Sequence, residues 1–319
     1  MHAHPAQPRL APAVIAQLEA TGVHTVIGSV VNPAGLTLAK AVPITRASAF
    51  ADPGLGASPS WHAFAIDQTG IAFTDGVGVV GDQRVRIDPS ALRPLGDGLA
   101  WAPADFFDQD GAPVAACARG TLRRAESALA AAGLDALVGH EMEFVLVDSD
   151  GGRLPSTLWA QYGLAGLLER EGFVRDVMLS AAAAGRFIPI AASASSRSPC
   201  RRCRRWPPLT NWCWLGSWWP WQARCQGLRV RLSPVPFAGS VGSAAHQHFS
   251  VTRTGSSDAL FSCGSGAAGM TAVGESAVAG VLNGLRQAQG VLCGSIVSPL
   301  RMRPGNWAGF SVCWGVENA

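Results

Sequence analysis

Lysine is almost absent from this chain of 319 residues, since Lys40 is the single one and every other basic residue except histidine is arginine. Charged residues make up only 15% of the sequence, hydrophobic residues make up 48%, and the net charge is +3. These values argue against a disordered chain and against a dedicated nucleic-acid binder, which needs a strong basic excess. We therefore expect a globular protein, long enough for two domains, with no nucleic-acid partner.

Cysteine is also scarce, with eight residues in the chain. This number is too small for a disulfide framework at this length. Cys200 and Cys203 have the spacing of half a zinc site, but no second well-spaced pair accompanies them, so we interpret the spacing as coincidental. No charged-then-apolar leader opens the sequence. The longest apolar run, Val273–Val297, contains Glu275 and Arg286 and is predicted to be a helix and not a membrane span. We predict a cytoplasmic protein without a membrane partner.

Hydrophobic periodicity predicts a mixed α+β fold. The predicted helices are Leu10–Ala20, Arg119–Ala132, Tyr162–Glu171 and Glu275–Gln289. The predicted strands are Val23–Val31, Leu36–Val42, His62–Ile66, Gln83–Ile87, Ala136–Asp148 and Gln247–Thr252. A polar turn at Asp108–Pro113 indicates a boundary, so we predict a strand-rich N-terminal domain over residues 1–105 and a second domain over residues 106–319.

One segment breaks the local patterns. Residues 185–225 hold six of the 11 tryptophans, seven arginines and no acidic residue. Such a composition is typical of a surface for nucleic acid or for a membrane interface. The alternative is that residues 186–224 are translated out of frame.

The alternative frame can be tested on the codons. The codons for Asn211-Trp212-Cys213-Trp214 can be regrouped so that each new codon starts one base earlier. They must then encode Leu-Val-Leu followed by Ala or Val. This is an ordinary helix-forming run. The same shift permits Gln-Phe-Glu-Val-Ser-Leu at Ser195–Cys200. Because one shift makes an anomalous segment locally consistent, the sequence favours the frameshift.

Two pairs of polar residues alternate along predicted strands. Glu141 and Glu143 share one face of their strand, roughly 7 Å apart, and His246 and His248 share a face of another. Carboxylates together with an imidazole are ligands that suit Mg²⁺ or Mn²⁺ better than a structural zinc ion. Taken alone, each pair is more often an ordinary solvated sheet face.

Two further motifs are weaker. Gly239–Ser243 forms a flexible loop whose backbone could approach a ligand, although it lacks the lysine of a phosphate-binding loop. Arg301 and Arg303 offer guanidinium groups for a carboxylate or a phosphate, or form an ordinary basic turn. No serine or cysteine nucleophile with a matching histidine is singled out by spacing.

The order of these motifs is informative. Glu-x-Glu-Phe at Glu141, then His-x-His-Phe-Ser at His246, then Arg-x-x-Pro-Gly at Arg301 resembles the glutamine synthetase family from about residue 20 onwards. The resemblance implies an N-terminal β-grasp-like domain followed by an incomplete glutamine synthetase-type catalytic α/β domain. It implies an ATP-dependent ligase that activates the glutamate γ-carboxylate as an acyl phosphate, which ammonia or another amine attacks. It also implies a homo-oligomeric ring with shared sites.

The same resemblance implies a role for each motif residue. Glu141, Glu143 and His246 would bind Mg²⁺ or Mn²⁺, and His248 and Ser250 would lie beside ATP. Gly242 and Arg301 would bind the glutamate substrate, and Arg301 would also act in catalysis by neutralising charge on the transferring phosphoryl group.

Three departures from the family pattern lower the expected activity. The middle block of acidic ligands is missing from the translated frame. Trp307 stands where a glutamate is expected, which favours an amine other than ammonia, such as a polyamine. The chain stops at Ala319, before further arginines of the family. We predict an impaired ligase, with a non-catalytic remnant that binds only metal or nucleotide as the alternative.

Overall fold

The computed structural model describes residues 10–67, 78–155, 163–183, 196–199, 219–240, 242–304, 308–309 and 311–315. The chain divides into two compact units, and their described residues fall within 10–125 and 126–315. Both units combine sheets with helices, so the predicted α+β class is confirmed. The predicted domain division at residue 105 and the β-grasp-like character of the first domain stay predictions.

The first unit is built on one mixed sheet. Its strands are β1 (Thr25–Val31), β2 (Thr37–Pro43), β3 (Leu55–Ala57), β4 (Gln83–Ile87), β5 (Arg93–Gly96) and β6 (Leu99–Phe107). Its helices are α1 (Pro12–Ala20), α2 (Ala47–Ala51) and the first part of α3 (Ala118–Ala131). The sheet order is β2-β1-β6-β4-β3, with β5 also paired to β6. β1 and β6 run parallel, and the other pairs are antiparallel.

The β1–β2 hairpin was predicted and is confirmed, with Val31 opposite Thr37 at its closed end. The Asn32 side chain accepts a hydrogen bond from the Leu36 backbone N–H at 3.0 Å and so closes the turn. Gly35 has φ +81°, a left-handed conformation that costs glycine little. On β2, the ammonium group of Lys40 lies 5.6 Å from the centre of the Trp61 ring.

The predicted strand His62–Ile66 is wrong. Pro59–His62 forms a turn of 3₁₀ helix, which begins after Ser58, whose hydroxyl accepts a hydrogen bond from the Ser60 backbone N–H. The Asn32 amide then donates to two backbone carbonyls of this segment, those of residues 61 and 64, at 3.1 and 3.0 Å. A distant side chain therefore satisfies backbone groups that a strand would have paired in a ladder.

The second unit contains a four-stranded sheet and most of the helices. Its strands are β7 (Leu134–Val147), β8 (Ser196–Pro199), β9 (Arg229–Arg231) and β10 (Ala245–Arg253). Its helices are α4 (Leu164–Leu168), α5 (Glu171–Ala183), α6 (219–225), α7 (Ala272–Leu292) and α8 (Ser298–Arg301). β7 lies between β10 and β8 and also pairs with β9, and all these pairs are antiparallel.

The long elements of this unit were predicted well. The strand at β7, the strand at β10 and the helix at α7 are confirmed, as is α3, after which Gly133 adopts φ +70°. The predicted helix Tyr162–Glu171 is wrong in its extent, because α4 ends at Leu168 and a separate helix, α5, begins at Glu171. Tyr162 lies outside the described residues.

Three aromatic side chains form the centre of the second unit's core. Phe144 on β7 lies 6.0 Å from Phe173 on α5 and 4.8 Å from Trp219 on α6, between ring centres. Trp219 is 1% exposed and Ala223 is fully buried, although both belong to the segment predicted to be out of frame. The end of that segment therefore packs in a core, whereas residues 186–195 and 200–218 lie outside the described residues.

None of the helices in the described part of the chain is both long enough and apolar enough to cross a membrane. α7, which contains most of the longest apolar run, has 21 residues and carries polar residues throughout its length.

Candidate functional site

The candidate site lies on the antiparallel ladder of β7 and β10. His246 is directly opposite Glu141, and His248 is directly opposite Gly139. Because side chains alternate along a strand, Glu141, Glu143, His246 and His248 all project from the same face. The predicted carboxylate and imidazole pairs are thus brought together by two strands that are about a hundred residues apart in sequence.

Glu143 is the most buried member of this group, with a side chain that is 0% exposed. Its Oε2 accepts a hydrogen bond from the Ala244 backbone N–H at 2.8 Å, and His246 Nε2 lies 3.6 Å from its Oε1. A buried carboxylate is costly unless it is paired and hydrogen-bonded. The short segment before β10 therefore fixes Glu143 in one position.

Glu141 is held differently. Its side chain is 19% exposed, and His248 Nε2 lies 3.2 Å from its Oε2. An ionised carboxylate can only accept, so Nε2 of His248 is the donor. Each of the two glutamates consequently faces one imidazole, and both contacts run diagonally across the ladder.

Gly242 and Arg301 are also brought together. Arg301 ends α8 and is 6% exposed, and a Cβ added at Gly242 would lie 2.0 Å from the Arg301 Cδ. The same Cβ would lie 2.4 Å from the Pro234 carbonyl oxygen, so a larger residue does not fit at position 242. The close packing of backbone against a buried guanidinium explains why glycine is needed here.

Some predicted site features are not brought together. Ser250 lies on the same strand face as His248, half-buried and opposite Leu137. Trp307 and the last four residues lie outside the described part of the chain. Within the residues that the structure describes, no three His, Cys, Asp or Glu side chains form a cluster that could hold a metal ion by itself.

Sequence reasoning missed the backbone contribution of Ala244. Its N–H donates to the Glu143 carboxylate, and its carbonyl accepts from the Glu143 backbone N–H at 2.9 Å. The residue type does not predict this hydrogen bond to Glu143, since any residue except proline carries the same backbone donor. Only the register of β10 against β7 reveals it.

The β7–β10 ladder presents two carboxylates and two imidazoles on one sheet face, and the buried Arg301 lies at the end of α8. The family model described as the glutamine synthetase catalytic domain matches residues 221–319. The gamma-glutamylpolyamine synthetase of Streptomyces coelicolor is 32% identical over 324 residues, covering 98% of this chain and 69% of that protein. The chain belongs to the glutamine synthetase family. The predicted family is therefore confirmed, and with it the class of ATP-dependent carbon–nitrogen ligases.

Other similarities agree with this assignment. The gamma-glutamylethanolamide synthetase of Streptomyces coelicolor is 28% identical over 253 residues, covering 75% of this chain and 54% of that protein. The crystal structure of a glutamine synthase homolog has a TM-score of 0.78 at 21% identity, covering 89% of this chain and 68% of its own. Ligand-free GmaS has a TM-score of 0.78 at 20% identity, covering 91% of this chain and 68% of its own. At these identities the solved structures support the fold alone. The family's catalytic domain uses ATP and a divalent metal ion in general.

Proposed function

We propose that this chain is a γ-glutamyl ligase that uses ATP to join the glutamate γ-carboxylate to a polyamine. The observation that carries the proposal is the pair of glutamate–histidine contacts on one face of the β7–β10 ladder. The polyamine is favoured because the relative that matches nearly the whole chain is named for that acceptor. An acceptor larger than ammonia also agrees with Trp307, which stands where a glutamate is expected.

The donor set of this sheet face fits a hard divalent cation. Mg²⁺ is usually bound by one or two carboxylates, with water and substrate phosphates completing its coordination. Glu143, rigid and buried, and Glu141, partly exposed, supply two carboxylates, and His246 supplies an imidazole beside them. This explains how Glu141, Glu143 and His246 could bind Mg²⁺ or Mn²⁺ although no complete metal cluster is present in the described residues. The bound ion would neutralise charge on the transferring phosphoryl group.

The remaining residues bind and orient the substrates. Arg301 is buried against Gly242 and is suited to bind a carboxylate of glutamate through charge-assisted hydrogen bonds. Its fixed charge would also stabilise the phosphoryl group during transfer, which is its proposed part in catalysis. Ser250 lies further along the same face of β10 and is proposed to contact ATP. His248, predicted to lie beside ATP as well, contacts Glu141.

The test is an assay of the purified chain with ATP, Mg²⁺ or Mn²⁺, glutamate and one amine at a time. Spermidine, ethanolamine and ammonium are compared, with phosphate release and the mass of the amide product as readouts. We expect a γ-glutamyl amide with spermidine, and a rate about 100-fold lower in Glu143→Gln. Glu171→Gln, at an exposed position of α5, is the matched control and should leave the rate unchanged. Product with ammonium alone would contradict a polyamine acceptor.

A second candidate is a chain that binds metal or nucleotide without turnover. The observation that favours it is the register of β8, which puts Arg197 directly opposite Glu143 on β7. Arginine supplies no carboxylate for a metal ion, whereas the shifted frame permits a glutamate at this position. If ATP with Mg²⁺ raises the unfolding temperature while no amine gives product, this candidate replaces the ligase.

A further inference from the structure

We propose that the second unit binds a phosphate group at a cluster of three arginines, Arg153, Arg229 and Arg231, beside the end of β7. The arginine cluster takes no part in the proposed ligase chemistry. Its binding of phosphate therefore does not depend on whether the chain is an active ligase.

Backbone pairing brings the three arginines together. Arg229 is opposite Val147 of β7, and Arg231 is opposite Val145. Arg153, which follows the turn after β7, forms an isolated bridge with Val147. Because side chains alternate along a strand, Arg229 and Arg231 project from the same face of β9. Two segments that are distant in sequence thus gather three positive charges at one end of the sheet.

The ring of Phe237 contacts two of the guanidinium groups. The Arg153 Cζ lies 4.7 Å from the centre of this ring, and the Arg231 Cζ lies 5.1 Å from it. The two positive charges are therefore at most about 10 Å apart, which is comparable to the range of electrostatic interactions in physiological salt. A guanidinium group that packs on an aromatic ring keeps N–H groups at its edge for binding an anion.

Arg231 is held in place by the protein before any ligand binds. Its Nη1 donates a hydrogen bond to the Pro236 carbonyl oxygen at 3.0 Å. Its Nη2 lies close to Gly151, where an added Cβ would be 2.8 Å away. Gly151 has φ +86°, so glycine suits this turn both by its conformation and by its lack of a side chain. A preorganised guanidinium loses little freedom when it binds a ligand.

The protein does not neutralise the charge of the arginine cluster. In the part of the chain that the structure describes, none of the three arginines lies within ion-pair distance of a carboxylate. The Asp148 carboxylate accepts hydrogen bonds from the backbone N–H groups of Asp150 and Gly152, at 2.9 and 2.6 Å, and so serves its own turn. The remaining acidic residue of the turn, Asp150, is exposed.

Phosphate is the anion that this arrangement fits best. A phosphate group carries more than one negative charge near neutral pH and has several acceptor oxygens, whereas a carboxylate carries a single charge. Guanidinium groups bind phosphate through paired, charge-assisted hydrogen bonds. More than one arginine can therefore contact the same phosphate group.

The experiment is calorimetry of the full chain with inorganic phosphate, in a low-salt buffer that contains EDTA, with ATP titrated in parallel. We expect Arg153→Gln and Arg231→Gln each to weaken phosphate binding about 10-fold or more, because each removes charge-assisted hydrogen bonds. Asp150→Asn should strengthen binding, since it removes a negative charge from the same turn. Arg286→Gln, at an exposed arginine of α7, is the matched control for the loss of one positive charge.

The unfolding temperature of each variant is measured as well. Arg153 is exposed, so Arg153→Gln should leave this temperature nearly unchanged. A loss of phosphate affinity without a loss of stability would separate ligand binding from simple packing on Phe237.

The two titrations also identify the source of the phosphate group. If Arg153→Gln weakens ATP binding and ATP binds more tightly than inorganic phosphate, the site takes the phosphates of a nucleotide. If the variant weakens the binding of inorganic phosphate alone, the site takes the free ion. The proposal is overturned if the wild-type chain binds neither, or if Arg153→Gln and Arg231→Gln bind as the wild type or as Arg286→Gln does. Such a failure leaves the proposed ligase standing, because that activity is tested by product formation.

Discussion

Two arginines and two aspartates form a compact ion network in the first unit. Arg119, 5% exposed, contacts Asp105 at 2.6 Å and Asp88 at 3.0 Å, and Arg123 contacts the same two carboxylates at 2.9 and 3.4 Å. Breaking a buried pair leaves an uncompensated charge, so each member depends on the others. The network ties the first turns of α3 to the end of β6 and to the residue that follows β4.

The network makes the stability of the chain depend on pH. Burial alone would raise the pKa of Asp88, but the hydrogen bond from Ser90 and the charges of Arg119 and Arg123 outweigh it and lower this pKa below its ordinary value. Between the lowered folded pKa and the unfolded pKa of Asp88, the folded state therefore binds fewer protons than the unfolded state. The contribution of Asp88 is complete above its unfolded pKa, near 3.8, and is lost as the pH falls through the lower folded value.

We predict that urea unfolding of the wild-type chain shows stability falling steeply below about pH 4, the ordinary range of an aspartate. Asp88→Asn should be less stable at pH 7 but should lose less on acidification, because it has no proton to take up at this position. The control is Asp258→Asn, at an exposed residue on the second unit. Parallel pH curves for the wild-type chain and Asp88→Asn would contradict the role of the network.

The sequence alone predicted which site residues share a strand face, because this depends only on the alternation of side chains along a strand. The period of two puts Glu141 with Glu143, and His246 with His248, on shared faces without any knowledge of the fold. Which glutamate meets which histidine depends on the register between β7 and β10, and a sequence does not contain that register. The approach of Gly242 to Arg301 likewise joins residues that only tertiary packing brings together.

At the level of elements, strong local signals were reliable and weak ones were not. α3 and α7 are long and have clear helical spacing. Thr271 caps the N-terminus of α7, because its hydroxyl accepts a hydrogen bond from the Gly274 backbone N–H at 3.1 Å. The segment His62–Ile66 was predicted to be a strand, but Asn32, which is distant in sequence, donates hydrogen bonds to the Trp61 and Phe64 backbone carbonyls. Long-range contacts of this kind override local preference.

α6 offers a test of whether the Trp-rich segment has a structural role. Trp219 is buried against Phe144, and its indole N–H has no hydrogen-bond partner among the described residues. An unsatisfied buried donor costs about 1–3 kcal/mol. The indole ring therefore stabilises the core by packing, whereas the unpaired N–H of the same side chain destabilises it.

We predict that Trp219→Ala lowers the free energy of unfolding by about 3–5 kcal/mol, because it leaves a cavity in the aromatic cluster. Trp219→Phe should stay within about 1 kcal/mol of the wild type, since the lost contacts are offset by removal of the unpaired N–H. Trp314→Ala, at a side chain that is 48% exposed, is the matched control and should change little. Denaturant unfolding followed by circular dichroism measures all three, and a neutral Trp219→Ala would show that the segment does not pack in solution.

For the whole molecule, the family match and the register of β8 bear on the reading frame. The catalytic-domain model matches from residue 221, close to residue 224, where the predicted out-of-frame segment ends. In the shifted frame, the permitted Gln-Phe-Glu-Val-Ser-Leu puts its glutamate at the position of Arg197, opposite Glu143. A carboxylate there would join the face that already carries Glu141 and Glu143. The impairment of the ligase stays a prediction.

We predict that sequencing the coding DNA from the codon for Ala181 to beyond the codon for Ala319 reveals compensating insertions or deletions on the two sides of residues 186–224. The corrected chain should then carry the middle acidic block and bind Mn²⁺ more tightly than the present chain. An unbroken frame in independently prepared DNA would contradict the frameshift. The homo-oligomeric ring, which the family resemblance implies, also stays a prediction, and light scattering of both chains would measure it.

The near absence of lysine has a practical consequence for the first unit. Lys40 is the single side-chain amine, and its nitrogen lies 5.6 Å from the centre of the Trp61 ring. An amine-reactive fluorophore attached there would be held beside an indole, which quenches many dyes by electron transfer on contact. Emission from that one label would rise when β2 separates from the Trp61 segment, so the native chemistry of the chain provides a built-in optical reporter of local unfolding.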